Sequence, residues 1–278
     1  MEASHTSDNI ITILFLGDVI GKPGREVVKK YLEALKQLDS AERQAIGAYP
    51  DFIVVNVENA AHGFGVTKDH IQELKTLGVD VFSGGNHTFD RKEIFDFIDQ
   101  EPTLLRPANY PEGTAGQGHC FVEKNGHKLA VINVMGRVFM EPLRSPFLIA
   151  EELVQKVSTE TNLILIDLHA EATAEKVAMG WYFDGRVTGL VGTHTHVQTA
   201  DDRLLHKGTA YITDAGCCGP TDGVIGMDQS GVFKRMVQQL PSRFEIAGGP
   251  SAACGVVIKA EAHSGRAVDI LRIRYSCT

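Results

Sequence analysis

Short apolar runs rich in β-branched residues recur along this chain, with helix-period segments between them. "ITILFLG" (11–17), "FIVVNV" (52–57), "VDVFSGG" (79–85), "KLAVINV" (128–134), "NLILIDL" (162–168) and "RVTGLVG" (186–192) each have strand length. After the first run, "PGREVVKKYLEALKQLD" (23–39) puts Val27, Val28, Tyr31, Leu32, Leu35 and Leu38 on one helical face, with Pro23 near the first turn. "TKDHIQELKTLG" (67–78) predicts a helix capped by Thr67 and stopped at Gly78. Further helices are expected over 91–100 and 146–157, a Pro/Gly/Asn-rich loop over 102–118, and a helical or loop segment over 171–182. The last third is strand-rich: "TAYIT" (209–213), "CGVVIKAE" (254–261) and "AVDILRIRY" (267–275), with one helix at 228–240. Strand and helix alternation over most of the chain, then a run of strands, predicts an α/β sandwich with mixed sheets. It is expected to form one domain over 10–278, behind a polar, disordered lead at 1–9.

The polar residues fall at one repeated place. Asp18 follows the first apolar run, Glu58 and Asn59 the second, Asn86 and His87 the third, His169 the fifth, and His194 and His196 the sixth. Ligands of open α/β sheets bind outside the carboxyl ends of the strands, so all eight residues are candidates for one rim. Carboxylates, an amide oxygen and imidazoles together suit Mn, Fe or Zn. One carboxylate can bridge two ions about 3.5–4 Å apart. Asp18 and Glu58 alone would give the rim a charge of about −2, a poor place for a phosphate ester, whereas two divalent ions would bring it to about +2. Taken singly, each residue has a simpler explanation: Asp18 a helix cap, Asn86 a turn residue, His169 a satisfied histidine. The joint pattern points to a metal site.

Composition narrows the classes. A net charge of −8 argues against a broad grip on a nucleic-acid polymer. Five cysteines show no CxxC spacing, which predicts reduced thiols in a reducing compartment. No apolar run approaches the ~18 residues that cross a membrane, and "MEASHTSDN" lacks the marks of a signal peptide. A cytoplasmic protein is expected, with a homo-oligomer as the ordinary state for its size.

"GNH" at 85–87 and "GTHTH" at 192–196 resemble the motifs of the metallophosphoesterase (calcineurin-like) superfamily. "FLGDVIGKPGR", "VNVENAAHGFG", "GGNHTFDRKEIFDFID", "LRPANYPEGT", "DLHAEATAEK", "GTHTHVQTAD" and "AYITDAGCCGP" resemble, more narrowly, its bacterial YmdB-type branch of phosphodiesterases. As in that branch, the usual Asp-x-His is Asp18-Val19-Ile20, and Glu58-Asn59 replaces Gly-Asp. The resemblance implies a layered α/β/β/α sandwich and two divalent metals, Fe or Mn first, with Zn also compatible. It implies that Asp18, Glu58, Asn59 and His196 hold the first ion, and that Glu58 bridges to a second held by Asn86, His169 and His194. His87 would bind no metal and would act on the phosphate or leaving oxygen. The implied activity is hydrolysis of cyclic nucleotides, 2′,3′-cyclic first and 3′,5′-cyclic second, by a metal-bridged hydroxide.

Around this core, Phe64, Tyr110, Phe139 and Trp181 are candidate walls for a base, and Arg106 and Arg137 candidate phosphate contacts, with ordinary packing as the alternative. His62 is read as a support for Glu58 or as a turn residue. Asp167 is expected on the opposite side of its strand from His169, in a structural role. Three competing readings are an amidohydrolase, an RNA endonuclease, and a regulatory or scaffold protein that kept the metal site and binds a nucleotide. The late position of the His-x-His pair argues against the first, the acidic balance against the second, and His87 against the third.

Overall fold

The computed structural model describes residues 10–37 and 49–277. The expected lead at 1–9 and the end of the first helical segment, with Leu38, lie outside the described residues. The strands are β1 (Ile10–Leu16), β2 (Asp18–Val19), β3 (Phe52–Asn56), β4 (Val81–Ser83), β5 (His119–Lys124), β6 (His127–Met135), β7 (Leu163–His169) and β8 (Gly189–Thr193). After them come β9 (Arg203–Leu204), β10 (Ala210–Ile212), β11 (Cys217–Pro220), β12 (Ser251–Glu261) and β13 (Ala267–Cys277). The helices are α1 (Gly21–Gln37), α2 (Lys68–Thr76), α3 (Pro146–Val157), α4 (Thr173–Tyr182) and α5 (Gln229–Met236).

Two mixed sheets form. One has seven strands in the order β2-β11-β12-β1-β3-β4, with β13 also paired to β12; the other has six, in the order β5-β6-β7-β8-β10-β9. In the first, β1, β3 and β4 run parallel and β12 antiparallel to β1. In the second, β6, β7, β8 and β10 run parallel, with β5 and β9 antiparallel at its edges.

Strand parity explains how the layers close. Ile11, Ile13 and Phe15 of β1 join Leu163 and Leu165 of β7 in the core between the sheets. Leu14 and Leu16 turn outward under α1 and α2, and Ile164, Ile166 and Leu168 turn outward under α3 and α4. Both faces of these strands are therefore buried, which is why they read as unbroken apolar runs. The result is the expected α/β/β/α sandwich. Among the described residues, no helix is long and apolar enough to cross a membrane.

Several local expectations hold. The helix at Pro146–Val157 has its expected bounds, and Val27, Val28, Tyr31, Leu32 and Leu35 are buried on one face of α1. Thr67 caps α2, accepting from the backbone N–H of His70, and Gly78 lies just past its end with φ 97, the left-handed stop that glycine provides. Others are corrected. The segment at 91–100 is two 3₁₀ turns, Lys92–Asp96 and Ile98–Gln100, separated by Phe97 at φ −140. Its buried Ile94 and Phe97 are three apart, a spacing that suits the tighter helix. Asp167 shares its strand face with Leu163, Leu165 and His169: residues two apart point the same way, so it lies on the same side as His169 and not the opposite one.

Candidate metal centre

The parallel strands deliver their carboxyl ends to one edge of the sandwich. Glu58 and Asn59 leave β3, Asn86 and His87 leave β4, His169 ends β7, and His194 and His196 leave β8. Asp18 stands just past β1, paired in register with Cys217. The two sheets meet there through polar contacts: Asn56 Nδ2 donates to Asp167 Oδ2 at 3.0 Å, and the backbone N–H of His194 donates to Asp18 Oδ2 at 3.1 Å.

The Nε2 of His169 is the focal atom. Glu58 Oε1 lies 3.1 Å from it, Asn86 Oδ1 3.0 Å and His194 Nδ1 3.0 Å. Burial raises the carboxyl of Asp167 to about 6, still ionised at neutral pH, and it accepts the Thr193 hydroxyl at 2.7 Å. The Thr193 oxygen therefore accepts from Nδ1–H of His169, 2.9 Å away, and Nε2 faces the cradle. His194 is held neutral, at about 3, by burial and by His169, and its Nε2 sits 3.2 Å from Glu171 Oε2. That contact uses the Nε2–H and leaves the Nδ1 lone pair for the cradle.

Four electron-pair donors thus converge. Burial alone would lower the pKa of His169, yet Glu58, Asp18 and Asp167 raise it to about 9; burial is likewise overcome at Glu58, which His169 and His87 hold at about 2. The site calls for positive charge, and one proton on Nε2 can reach only one of the three surrounding acceptors. Donor atoms 3.0–3.1 Å from Nε2 of His169 are close enough to share one cation. Glu58, His169 and His194 present ligand atoms all within 4.8 Å of one another.

A second set of donors adjoins the first. Asp18 Oδ1 and Asn59 Oδ1 are buried with no hydrogen-bond partner, although Asn59 Nδ2 donates to the Gly63 carbonyl at 2.8 Å. Burial raises the pKa of Asp18, with His196 and His169 working against it. His196 Nδ1 is 3.1 Å from the carbonyl of Ile225, which leaves its Nε2 lone pair free. Glu58, Asn59, His194 and His196 all line one cavity of about 390 Å³. Orphaned oxygens beside the His196 ring suit a cation as well.

The loop carrying the two histidines is held in an uncommon shape. His194 and His196 have φ 98 and 64, values that non-glycine residues adopt only when their surroundings enforce them. The enforcement comes from Lys176, fully buried on α4, whose Nζ donates to Asp214 Oδ2 and to the Thr193 carbonyl, each at 2.7 Å. The same carboxylate accepts from Thr195 N–H at 3.1 Å and from its hydroxyl at 2.7 Å. Gly85 closes the other side, where a Cβ would overlap Glu58 Oε2 and His169 Nε2.

His87 stands at the cavity wall outside this cradle. Its backbone N–H donates to Glu58 Oε2 at 2.9 Å, Asp90 Oδ2 lies 2.8 Å from its Nδ1, and Phe64 packs edge-on at 4.9 Å. Of the four candidate base walls, only Phe64 lines the cavity: Tyr110 packs on Phe89, Trp181 stacks on His206, and Phe139 is 89% exposed. Arg106 is used on the carbonyls of Pro107, Thr114 and Ala115, and the Arg137 backbone N–H is held by Glu175. His62 is an exposed turn residue at φ 56. Sequence reasoning did not find Glu171, Asp90, Thr193, Lys176 or Asp214 as parts of the site. Asp214 carried a signal, since it follows the strand-forming "TAYIT" as the other rim residues follow theirs.

A double-sheet sandwich with nitrogen and oxygen donors gathered at its carboxyl rim defines a protein of the metallophosphoesterase fold. Residues 14–273 match the model of the YmdB-like proteins, and the chain belongs to that family. It is 52% identical over 261 residues to the 2′,3′-cyclic-nucleotide 2′-phosphodiesterase of Bacillus subtilis strain 168, covering 94% of this chain and 96% of the relative. The crystal structure of a novel phosphatase from Mycoplasma pneumoniae superposes with a TM-score of 0.87 at 34% identity, covering 96% of this chain and 94% of that one. A hypothetical protein from Thermus thermophilus gives 0.86 at 34% identity, covering 96% of this chain and 100% of that one.

Proposed function

We propose that the chain is a metal-dependent phosphoric diester hydrolase that opens 2′,3′-cyclic nucleotides at the 2′ ester, leaving the 3′-nucleotide. The convergence of Glu58, Asn86 and His194 donors on Nε2 of His169 carries this reading; the 52% identity to a phosphodiesterase of that name supports the substrate. Asp18, Glu58, Asn59 and His196 would hold one divalent ion, and Glu58, Asn86, His169 and His194 a second. When bound, such ions supply Lewis-acid stabilisation of the phosphoryl oxygens and lower the pKa of an attacking water. The nitrogen and oxygen set suits Fe, Mn and Zn.

The chain's own groups do the rest. Thr193 and Asp167 fix the ring of His169, Glu171 fixes His194, and the Ile225 carbonyl fixes His196, so one ring nitrogen of each faces inward before anything binds. His87, with Asp90 on Nδ1, presents its other ring nitrogen as the proton donor to the departing 2′ oxygen. Water gives its hydroxyl to phosphorus as the P–O2′ bond breaks, and the 2′ oxygen takes the proton.

The deciding experiment is product analysis after incubation of metal-loaded protein with 2′,3′-cyclic AMP, against a chelated control. Metal-dependent release of 3′-AMP is expected, and 3′,5′-cyclic AMP in parallel measures the breadth of the activity. No turnover with the metals bound would favour the regulatory reading instead.

A further inference from the structure

We propose that Phe64 and the segment 224–244 form the seat of the nucleobase, and that this seat recognises the face of the base and not its edge. The inference rests on the cyclic-nucleotide reading above. The cavity of about 390 Å³ is lined by two unlike sets of side chains. Glu58, His87, His194 and His196 make one; Phe64, Val224, Ile225, Val232, Met236 and Phe244 make the other. A nucleoside cyclic phosphate has the same polarity, with its anionic ring on one side of the ribose and a flat aromatic base on the other.

The apolar set, the wall from the cap and Phe64, offers van der Waals surface and no side-chain hydrogen-bond group; Asn59, Glu171 and Thr195 line the cavity with the polar set. Discrimination between bases by donor and acceptor pattern requires such groups, so this wall cannot supply it. Stacking and apolar contact remain, and they are tolerant of base identity because every base has a π-face. Ile225 and Met236 are 50% and 67% exposed although they line the cavity. A bound base would cover apolar surface that the fold itself leaves open.

The wall is built in place. Phe64 sits between Gly63 at φ 91 and Gly65 at φ 73, and its carbonyl accepts from Arg91 Nε at 3.2 Å. The Arg235 guanidinium lies over the Phe244 ring at 5.2 Å. Bridges between Val224 and Met227 and between Met227 and Ile246, with the Asp228 N–H on the Glu245 carbonyl at 2.8 Å, tie the segment into a cap between β11 and β12. Edge-on contact of Phe64 with His87 places this wall beside the proton donor.

The test compares 2′,3′-cyclic AMP with ribose 2′,3′-cyclic phosphate, which lacks the base. Base stacking of about 1–3 kcal/mol corresponds to a kcat/KM advantage of about 5- to 150-fold for the nucleotide in the wild type. The four common 2′,3′-cyclic nucleotides should agree within about tenfold. Phe244→Ala should lose most of the nucleotide advantage, chiefly through KM, while its turnover of the abasic substrate stays unchanged; Phe244→Trp should restore it. Met236→Ser, at an exposed position, gives the same readout with little demand on folding. Equal activity of the wild type on both substrates would overturn the base seat alone, as would losses in these variants that are equal on both. Absence of wild-type turnover on either substrate would overturn the cyclic-nucleotide reading and the seat with it.

Discussion

The hydroxyl of Thr193 lies 2.9 Å from Nδ1 of His169, and this contact decides which ring nitrogen faces the metal cradle. Thr193→Val keeps the shape and removes the link to Asp167. Metal affinity should fall by about 10- to 100-fold, and stability by about 1–3 kcal/mol because buried polar groups lose partners. Titration calorimetry with Mn²⁺ and urea unfolding measure the two effects. Thr193→Ser should retain both properties.

His87 and Asp18 should separate chemistry from metal retention. His87→Ala is expected to keep its metals and lose about 10²- to 10⁴-fold in kcat. Asp18→Ala and His194→Ala should lose metal and activity together. Metal content by mass spectrometry alongside kcat distinguishes the cases, and near-full activity in His87→Ala would remove that residue from the mechanism.

Gly85→Ala tests the closeness of the cradle. The added methyl would overlap Glu58 Oε2 and His169 Nε2, so the variant should fold yet bind metal at least tenfold more weakly. An unchanged metal stoichiometry and affinity would show that the cradle opens.

Lys176→Met leaves the buried carboxylate of Asp214 without its counter-charge, though Thr195 still donates to it. The expected loss is about 3–5 kcal/mol in urea unfolding. The 193–196 loop should loosen too, seen as faster amide exchange at Thr195, whose N–H donates to that carboxylate.

His70 sets part of the acid sensitivity. Burial, and then Arg25, lower its pKa from 6.5 to about 4, and its Nδ1 is buried with no partner. The unfolded chain therefore takes up this proton below about pH 6.5 while the folded chain resists until about pH 4. Stability rises with pH across that window and is lost as pH falls through it. Urea midpoints at pH 7 and pH 5 should differ less in His70→Gln than in the wild type.

The rim was legible because the rule behind it is local: a strand ends and a polar residue follows. Asp18, Glu58, Asn86, His169 and His194 each obey it, and the structure brings them together. What supports them was not legible, since Lys176 reads as an ordinary helix residue and meets Asp214 only through the fold. Glu171 and Asp90 reach their histidines from loops whose course no periodicity encodes. The face of Asp167 follows from strand parity alone: two residues before His169, it shares that side of β7. β5 hid as an edge strand of alternating exposure, and β11 as a four-residue strand paired to β2 and β12.

Ile225 occupies the left-handed region at φ 48, a conformation that a β-branched residue resists. Its carbonyl holds His196 and the residue belongs to the apolar lining of the cavity. One peptide thus couples the ring of His196 to the apolar lining of the cavity. The strand ends carry the donor cradle, while the cap between β11 and β12 carries most of the apolar lining. A shift of the backbone at Ile225 would therefore be felt at His196 and at the apolar lining together.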